Sequence, residues 1–155
     1  MIRLATNEDL PAVCAIRRQV HLLHCSGRPD IFRMPEHPEE FDQSLYEAVM
    51  DENYRLFVCE ADQWITGYIL VRLVDVKNLC MKCDRLDYFV EEIGVDNSCQ
   101  RRGYGKELME YVAADAKTHG AVSVFLDYWS FNETAARFYE SLGMTQKRSV
   151  VELTL

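Results

Sequence analysis

The chain has 155 residues, of which 48% are hydrophobic and 27% charged, and its formal net charge is −8. These values fit one folded domain with a sizeable core and exclude a disordered chain, while the acidic balance argues against nucleic acid and anionic membrane as partners. No apolar run approaches the ~20 residues of a membrane span, and Met1-Ile2-Arg3-Leu4 enters fold-like sequence without a leader-type apolar run, so a single cytoplasmic domain over 1–155 is expected.

Ile2 and Leu4 alternate with polar neighbours and predict a first strand over residues 1–5. Thr6-Asn7-Glu8-Asp9 offers a cap and first-turn acids, and Pro11 falls where a missing N–H costs least. Val13, Ile16, Val20 and Leu23 then recur at helical spacing, which predicts a helix over 8–24. Gly27, Pro29, Pro35 and Pro38 make 25–38 a loop, anchored by Ile31 and Phe32. A second helix is predicted near 38–50, with Phe41, Leu45 and Val49 on one face. Strand runs at 54–60, 64–74 and 85–95 are close enough together for an antiparallel meander.

A helix from Gly103 to about Thr118 buries Leu108, Met109, Tyr111 and Val112 and stops at Gly120. Residues 122–126 predict a short buried strand. Asn132 caps a last helix that carries Ala135, Phe138 and Leu142 and ends at Gly143, and the stretch from Met144 to Leu155 predicts a closing strand. The expected fold is α+β, a mixed, mostly antiparallel central sheet of six to seven strands flanked by about four helices. The edge strands of such a sheet are free to pair, which makes a homodimer the expected assembly.

Six cysteines are scattered through mostly apolar surroundings and are expected as reduced thiols. Cys80-Met81-Lys82-Cys83 is a single C-x-x-C between strand runs, with no second ligand pair at zinc spacing, so it reads as a structural loop and no metal is expected.

The most informative stretch is Val95 to Lys106. A strand run ends at Asp96-Asn97-Ser98, the basic, Gly-punctuated turn Gln100-Arg101-Arg102-Gly103-Tyr104-Gly105 follows, and Lys106 lies in a helix start. A strand, a tight turn and a helix N-terminus aim several free N–H groups and a positive dipole end at one point, an arrangement suited to phosphate or pyrophosphate. Further on, Asn132 and Tyr139 stand seven residues apart, two turns along one helical face, so both look into one cleft.

In these two blocks the chain resembles the GNAT superfamily of acetyl-CoA-dependent N-acetyltransferases. The family's turn, Q/R-x-x-G-x-G/A, is matched by Gln100, Gly103 and Gly105, and its last-helix pattern by Asn132, Ala135, Phe138, Tyr139, Gly143 and Met144. One departure is Asn97, which stands where proline is common. The resemblance implies transfer of an acetyl group from acetyl-CoA to a primary amine of a small molecule or peptide by direct attack in a ternary complex. It implies that amides around Gln100, Arg101, Arg102, Gly103, Gly105 and Lys106 hold the pyrophosphate. Ile93 and Val95 would pair with the pantetheine arm as an added strand does, with Gly94 between them suited to close backbone approach. Asn132 would contact the same arm, and Tyr139 would be the general acid on the departing thiolate.

A protonated amine must lose a proton before it attacks. Family members place a carboxylate base at the position matching Glu91, with Glu92 the second candidate and an ordered water the third. Strand alternation predicts that the two carboxylates point to opposite faces. The acceptor site is expected from the first helix, the 25–38 loop and the 75–84 connection, with His21, His24, Arg28, Asp30 and Arg33 as candidates and Tyr128, Trp129 and Phe131 near the mouth. Asp87, Glu91 and Asp127 are expected to make the cleft negative and to favour a cationic amine.

A dinucleotide-binding reading fails because Leu108 stands where the third glycine of G-x-G-x-x-G belongs and too little chain follows residue 128 for a doubly wound sheet. The alternative from another class is a non-catalytic acyl-CoA-binding or regulatory domain on the same fold, because fold alone does not carry function.

Overall fold

The computed structural model describes residues 1–154 as one α+β domain. In chain order its elements are β1 (Ile2–Leu4), α1 (Leu10–Gly27), α2 (Pro38–Met50), β2 (Tyr54–Ala61), β3 (Trp64–Val76), β4 (Arg85–Val95), α3 (Tyr104–Thr118), β5 (Ser123–Phe125) and α4 (Glu133–Ser141). A short 3-10 turn at Asn97–Cys99 joins β4 to the basic turn. The strands lie in sequence order, β1 to β4 antiparallel and β5 parallel to β4.

Alternation along the strands divides the core between the two sheet faces. Phe57, Cys59, Ile69, Val71, Tyr88 and Val90 pack against Leu108, Met109, Val112 and Ala116 of α3. Leu56, Val58, Tyr68 and Leu70 pack against Leu10, Val13, Cys14 and Ile16 of α1 and Leu45 of α2. Burial of these side chains, at ~1.5–3 kcal/mol each, is what holds the helices to the sheet. At the start of α1 the Asp9 carboxylate, buried to 9% side-chain exposure, accepts from Thr6 N at 2.7 Å and from Arg3 Nη1 at 2.7 Å, which ties the helix start to β1.

The described residues form five strands rather than six to seven. Residues 145–154 pair with no strand, and Val150, Val151 and Leu153 stand exposed. Strand propensity counts only where a partner and a covered face exist. The tail instead runs past β5, with Lys147 Nζ 4.2 Å over the Phe125 ring, to the end of α1, where Glu152 accepts from Arg28 Nη2 at 3.1 Å. Leu155, the end of the predicted closing strand, lies outside the described residues.

Candidate active site

The turn after β4 has the left-handed geometry that its sequence requires. Arg101 has φ +64° and Gly103, the residue preceding α3, has φ +93°. Among the described residues no group accepts from the main-chain N–H groups of Arg101 to Lys106, and no side chain caps α3. Left-handed Arg101 and Gly103 followed by a helix N-terminus form a turn of the kind that gathers such donors around an anion. Arg101 and Arg102 have no carboxylate partner among the described residues, whereas Lys106 makes a loose, exposed 3.7 Å pair with Glu110. Gln100 is exposed and braces the turn, its Nε2 donating to Asn97 Oδ1 at 3.0 Å.

The loop feeding this turn is fixed from α1. Asp96 accepts from Ser98 N and from Gln19 Nε2, both at 2.9 Å, and the hydrogen bonds to its carboxylate hold its pKa below the ordinary value. Asn97 N–H donates to Gln19 Oε1 at 2.9 Å, a bond that proline at this position lacks the hydrogen to make.

Beside the turn, β4 and β5 part. They pair only at Asp87, Tyr88 and Phe89, because β5 ends at Phe125, and from Val90 to Val95 the β5 side of β4 pairs with no strand. Ile93 and Val95 both lie on this unpaired edge, which can accept an extended chain through its main-chain groups. The glycine between them has a different cause from the expected one. A methyl at Gly94 would meet Tyr68 Cε1 at 2.7 Å and Val20 Cγ2 at 3.0 Å, so the small residue admits α1 and the Tyr68 ring.

A β-bulge falls at Glu91. Leu70 of β3 faces Glu92 and Val71 faces Val90, leaving Glu91 as the extra residue. The strict alternation expected of the two carboxylates is therefore broken. Glu91 Oε1 accepts from Arg72 Nε, and Glu92 accepts from Tyr68 and Arg17, so both pair with groups on the α1 side of the sheet. The two pairs differ in their freedom. Glu92 receives Arg17 Nη2 on Oε1 at 2.6 Å, and Arg17 Nε at 2.7 Å and the Tyr68 hydroxyl at 2.9 Å on Oε2. Arg17 in turn donates to Phe41 O at 2.6 Å and Ser44 Oγ at 2.9 Å, and burial raises the Tyr68 phenol well above its usual range. Glu91 keeps Oε2 without a partner among the described residues.

Tyr139 lies on α4 with 9% exposure, its ring 5.7 Å from Tyr128 and 5.2 Å from Phe138. Its hydroxyl has no hydrogen-bond partner among the described residues, and burial pushes the phenol up to about 12. It therefore keeps its proton through the neutral range. Phe138 carries α4 against the turn, since a methyl at Gly105 would lie 3.4 Å from Phe138 Cζ. Asn132 caps α4, its Oδ1 accepting from Ala135 N at 3.0 Å, which leaves its Nδ2 as a free donor.

The acceptor candidates gather at the end of α1. His24 stacks on Phe32 at 5.2 Å, His21 lies 4.9 Å from Phe41, and Phe32 meets Trp129 edge-on at 5.3 Å. Burial, then the nearby His21, holds His24 below its ordinary pKa. Arg28 pairs with Asp30 at 2.7 Å and lies 5.4 Å over Trp129, while Arg33 contributes its carbonyl to His21 at 2.8 Å. The 75–84 connection brings Lys82 and Cys83 to a groove lined by Phe89 and Phe125, and leaves Cys80 and Cys83 exposed. The expected negative cleft is not formed by Asp87 and Glu91, because Arg85 pairs with the first at 2.6 Å and Arg72 with the second. Sequence reasoning missed Arg17, Gln19, Tyr68 and Arg72, which orient the carboxylates and the loop. Their only signal was position, polar residues on a helix or strand face that packs inward.

Among the described residues no helix is long and apolar enough to cross a membrane. The family model described as the acetyltransferase (GNAT) family matches residues 20–144. The [ribosomal protein bS18]-alanine N-acetyltransferase of Salmonella typhimurium is 25% identical over 145 residues, covering 94% of this chain and 80% of its own. A structure of the BH1408 protein of Bacillus halodurans, a tetramutant, superposes with TM-score 0.91 at 32% identity over 100% of this chain and 99% of that one. AAC(6')-Iy in complex with the bisubstrate analog CoA-S-monomethyl-acetylneamine superposes with TM-score 0.75 at 20% identity, over 100% and 97%. With its turn, its parted strands and a family match spanning most of its length, the chain belongs to the GNAT acetyltransferase family.

Proposed function

We propose that the protein transfers the acetyl group of acetyl-CoA to a primary amine of a small molecule or peptide. The observation that carries this reading is the run of unpartnered N–H groups from Arg101 to Lys106, which follows in the chain on the end of β4 that β5 leaves unpaired. Those donors, with the unpaired Arg101 and Arg102, fit a pyrophosphate, and the β4 edge at Ile93 and Val95 fits an extended amide-bearing arm. One relative is named as a [ribosomal protein bS18]-alanine N-acetyltransferase, and one structural neighbour was solved in complex with the bisubstrate analog CoA-S-monomethyl-acetylneamine. Acetyl-CoA supplies an acyl group activated as a thioester.

This chain's residues then divide the work. Glu91 Oε2, directly or through a water, takes the proton that the amine must lose, since Glu92 has both oxygens engaged and serves to hold Arg17 and Tyr68. The amine lone pair forms the C–N bond as the C–S bond breaks, the sulfur carries the electron pair away, and the second proton that the nitrogen then sheds passes through water to the thiolate, which leaves as the thiol. Tyr139 donates its hydrogen bond to that sulfur. A phenol at about 12 is a weaker acid than a thiol near ~8.5, so its part is to stabilise the developing thiolate by hydrogen bonding. The Asn132 Nδ2, which the cap bond leaves free, holds the arm in this reading.

CoA thiol release, followed for the purified protein with acetyl-CoA across a panel of amines, tests the reading. Turnover with at least one primary amine is expected. Tight acetyl-CoA binding with no turnover on any amine would instead assign the protein to the non-catalytic alternative.

A further inference from the structure

The sheet face that α1 covers at Tyr68 and Leu70 continues uncovered along β3 and β4. Alternation puts Arg72 on that same face, opposite Phe89 in the register. Phe89 and Phe125, 5.0 Å apart, form the floor of a groove of about 540 Å3, a size typical of small-molecule sites. Its rim is basic. Lys82 comes from the connection before β4, and Lys147 and Arg148 from the tail. Arg72 and Arg85 are neutralised by Glu91 and Asp87, but Lys82, Lys147 and Arg148 have no carboxylate partner among the described residues. On a chain of net charge −8, three unpaired cations over an aromatic floor are a local reversal of sign.

The position of the groove gives it a use. Phe89 and Phe125 are the last rung at which β4 and β5 pair, and Arg72 reaches from the groove to Glu91, just beyond that rung. We infer that the groove binds the anionic end of the acceptor, an amine that also carries a carboxylate or phosphate. The oxyanion lies among Lys82, Lys147 and Arg148, and the amine points along Arg72 to Glu91 at the strand split. Charge-assisted bonds to guanidinium and ammonium donors favour such a group over a neutral or cationic one. This inference rests on the acetyl-transfer reading of the split.

The test is a comparison of acceptors, measured as CoA thiol release by the full chain with acetyl-CoA. Glutamate and phosphoethanolamine serve as anionic amines, benzylamine as a neutral one and putrescine as a cationic one. An anionic amine is expected to exceed the others in kcat/KM by about tenfold or more, and the better of the two anionic probes identifies the oxyanion. Lys147→Glu and Arg148→Glu, both on the exposed tail, are each expected to raise KM for that acceptor about fivefold or more, with the calorimetric Kd for acetyl-CoA unmoved. Preference for benzylamine or putrescine, or an unmoved KM in both variants, overturns the inference while leaving acetyl transfer standing. Absence of acetyl-CoA binding and of turnover on every amine overturns both.

Discussion

Gln19 holds Asn97 from across the fold, its Oε1 accepting the Asn97 N–H at 2.9 Å while its Nε2 donates to Asp96 at the same distance. One side chain of α1 thus sets the bend from which the Gln100–Lys106 turn departs. Gln19→Ala removes both bonds. It is expected to lower stability by about 1–2 kcal/mol and to raise the Kd for acetyl-CoA severalfold. Thermal unfolding and calorimetry check the two effects. Asn97→Pro, which restores the residue common in the family, is expected to lower stability here, because it removes the N–H that Gln19 accepts.

Tyr139→Phe keeps the ring that packs against Tyr128 and Phe138 and deletes only the hydroxyl. The expected result is a fall in kcat of about 10²-fold or more, with acetyl-CoA affinity and melting temperature near those of the wild type. A structural role alone would leave kcat unchanged.

The bulge at Glu91 separates two carboxylates by function. Glu91→Gln is expected to lower kcat/KM about tenfold or more. Because the Arg72 pair is partly exposed, stability should change by only about 0.5 kcal/mol. Glu92→Gln leaves Arg17, whose side chain is 12% exposed, with a weakened partner. It is expected to cost about 2–3 kcal/mol in denaturant unfolding.

Gly94→Ala drives a methyl to 2.7 Å from Tyr68 Cε1 and 3.0 Å from Val20 Cγ2. An overpacking cost of about 1–3 kcal/mol is expected from equilibrium unfolding.

Asp9 supplies the pH dependence. Hydrogen bonds from Arg3, with those from Thr6, hold its carboxyl at about 2, below the usual carboxylate value. A depressed folded-state pKa gives stability that is present above the unfolded pKa near ~3.9 and is lost as pH falls through the folded value. Unfolding free energy should therefore drop by about 2 kcal/mol between about pH 4 and pH 2 on account of this group. Asp9→Asn should flatten that part of the curve.

The elements with a strong apolar period were legible in sequence. α1 and α3 fall close to their predicted spans, and the breaks at Gly103, Gly120 and Gly143 all have positive φ. The turn and the cap at Asn132 were legible because their geometry is local. What escaped depends on partners distant in sequence. The bulge at Glu91 is set by β3 register, and Gly94 answers to Val20 and Tyr68. The basic groove joins residue 72 to residue 148, a neighbourhood that no local pattern encodes. The tail misled because Val150, Val151 and Leu153 have the composition of a strand and lack a partner to pair with.

Calorimetric titration of acetyl-CoA against S-acetylpantetheine, which lacks the pyrophosphate and nucleotide, tests the central claim most directly. If the free N–H groups of Arg101 to Lys106 grip a pyrophosphate, acetyl-CoA binds about 100-fold or more tightly than the truncated thioester. Arg102→Glu should narrow that gap. Equal affinity for the two thioesters, or no binding of acetyl-CoA, would contradict the account.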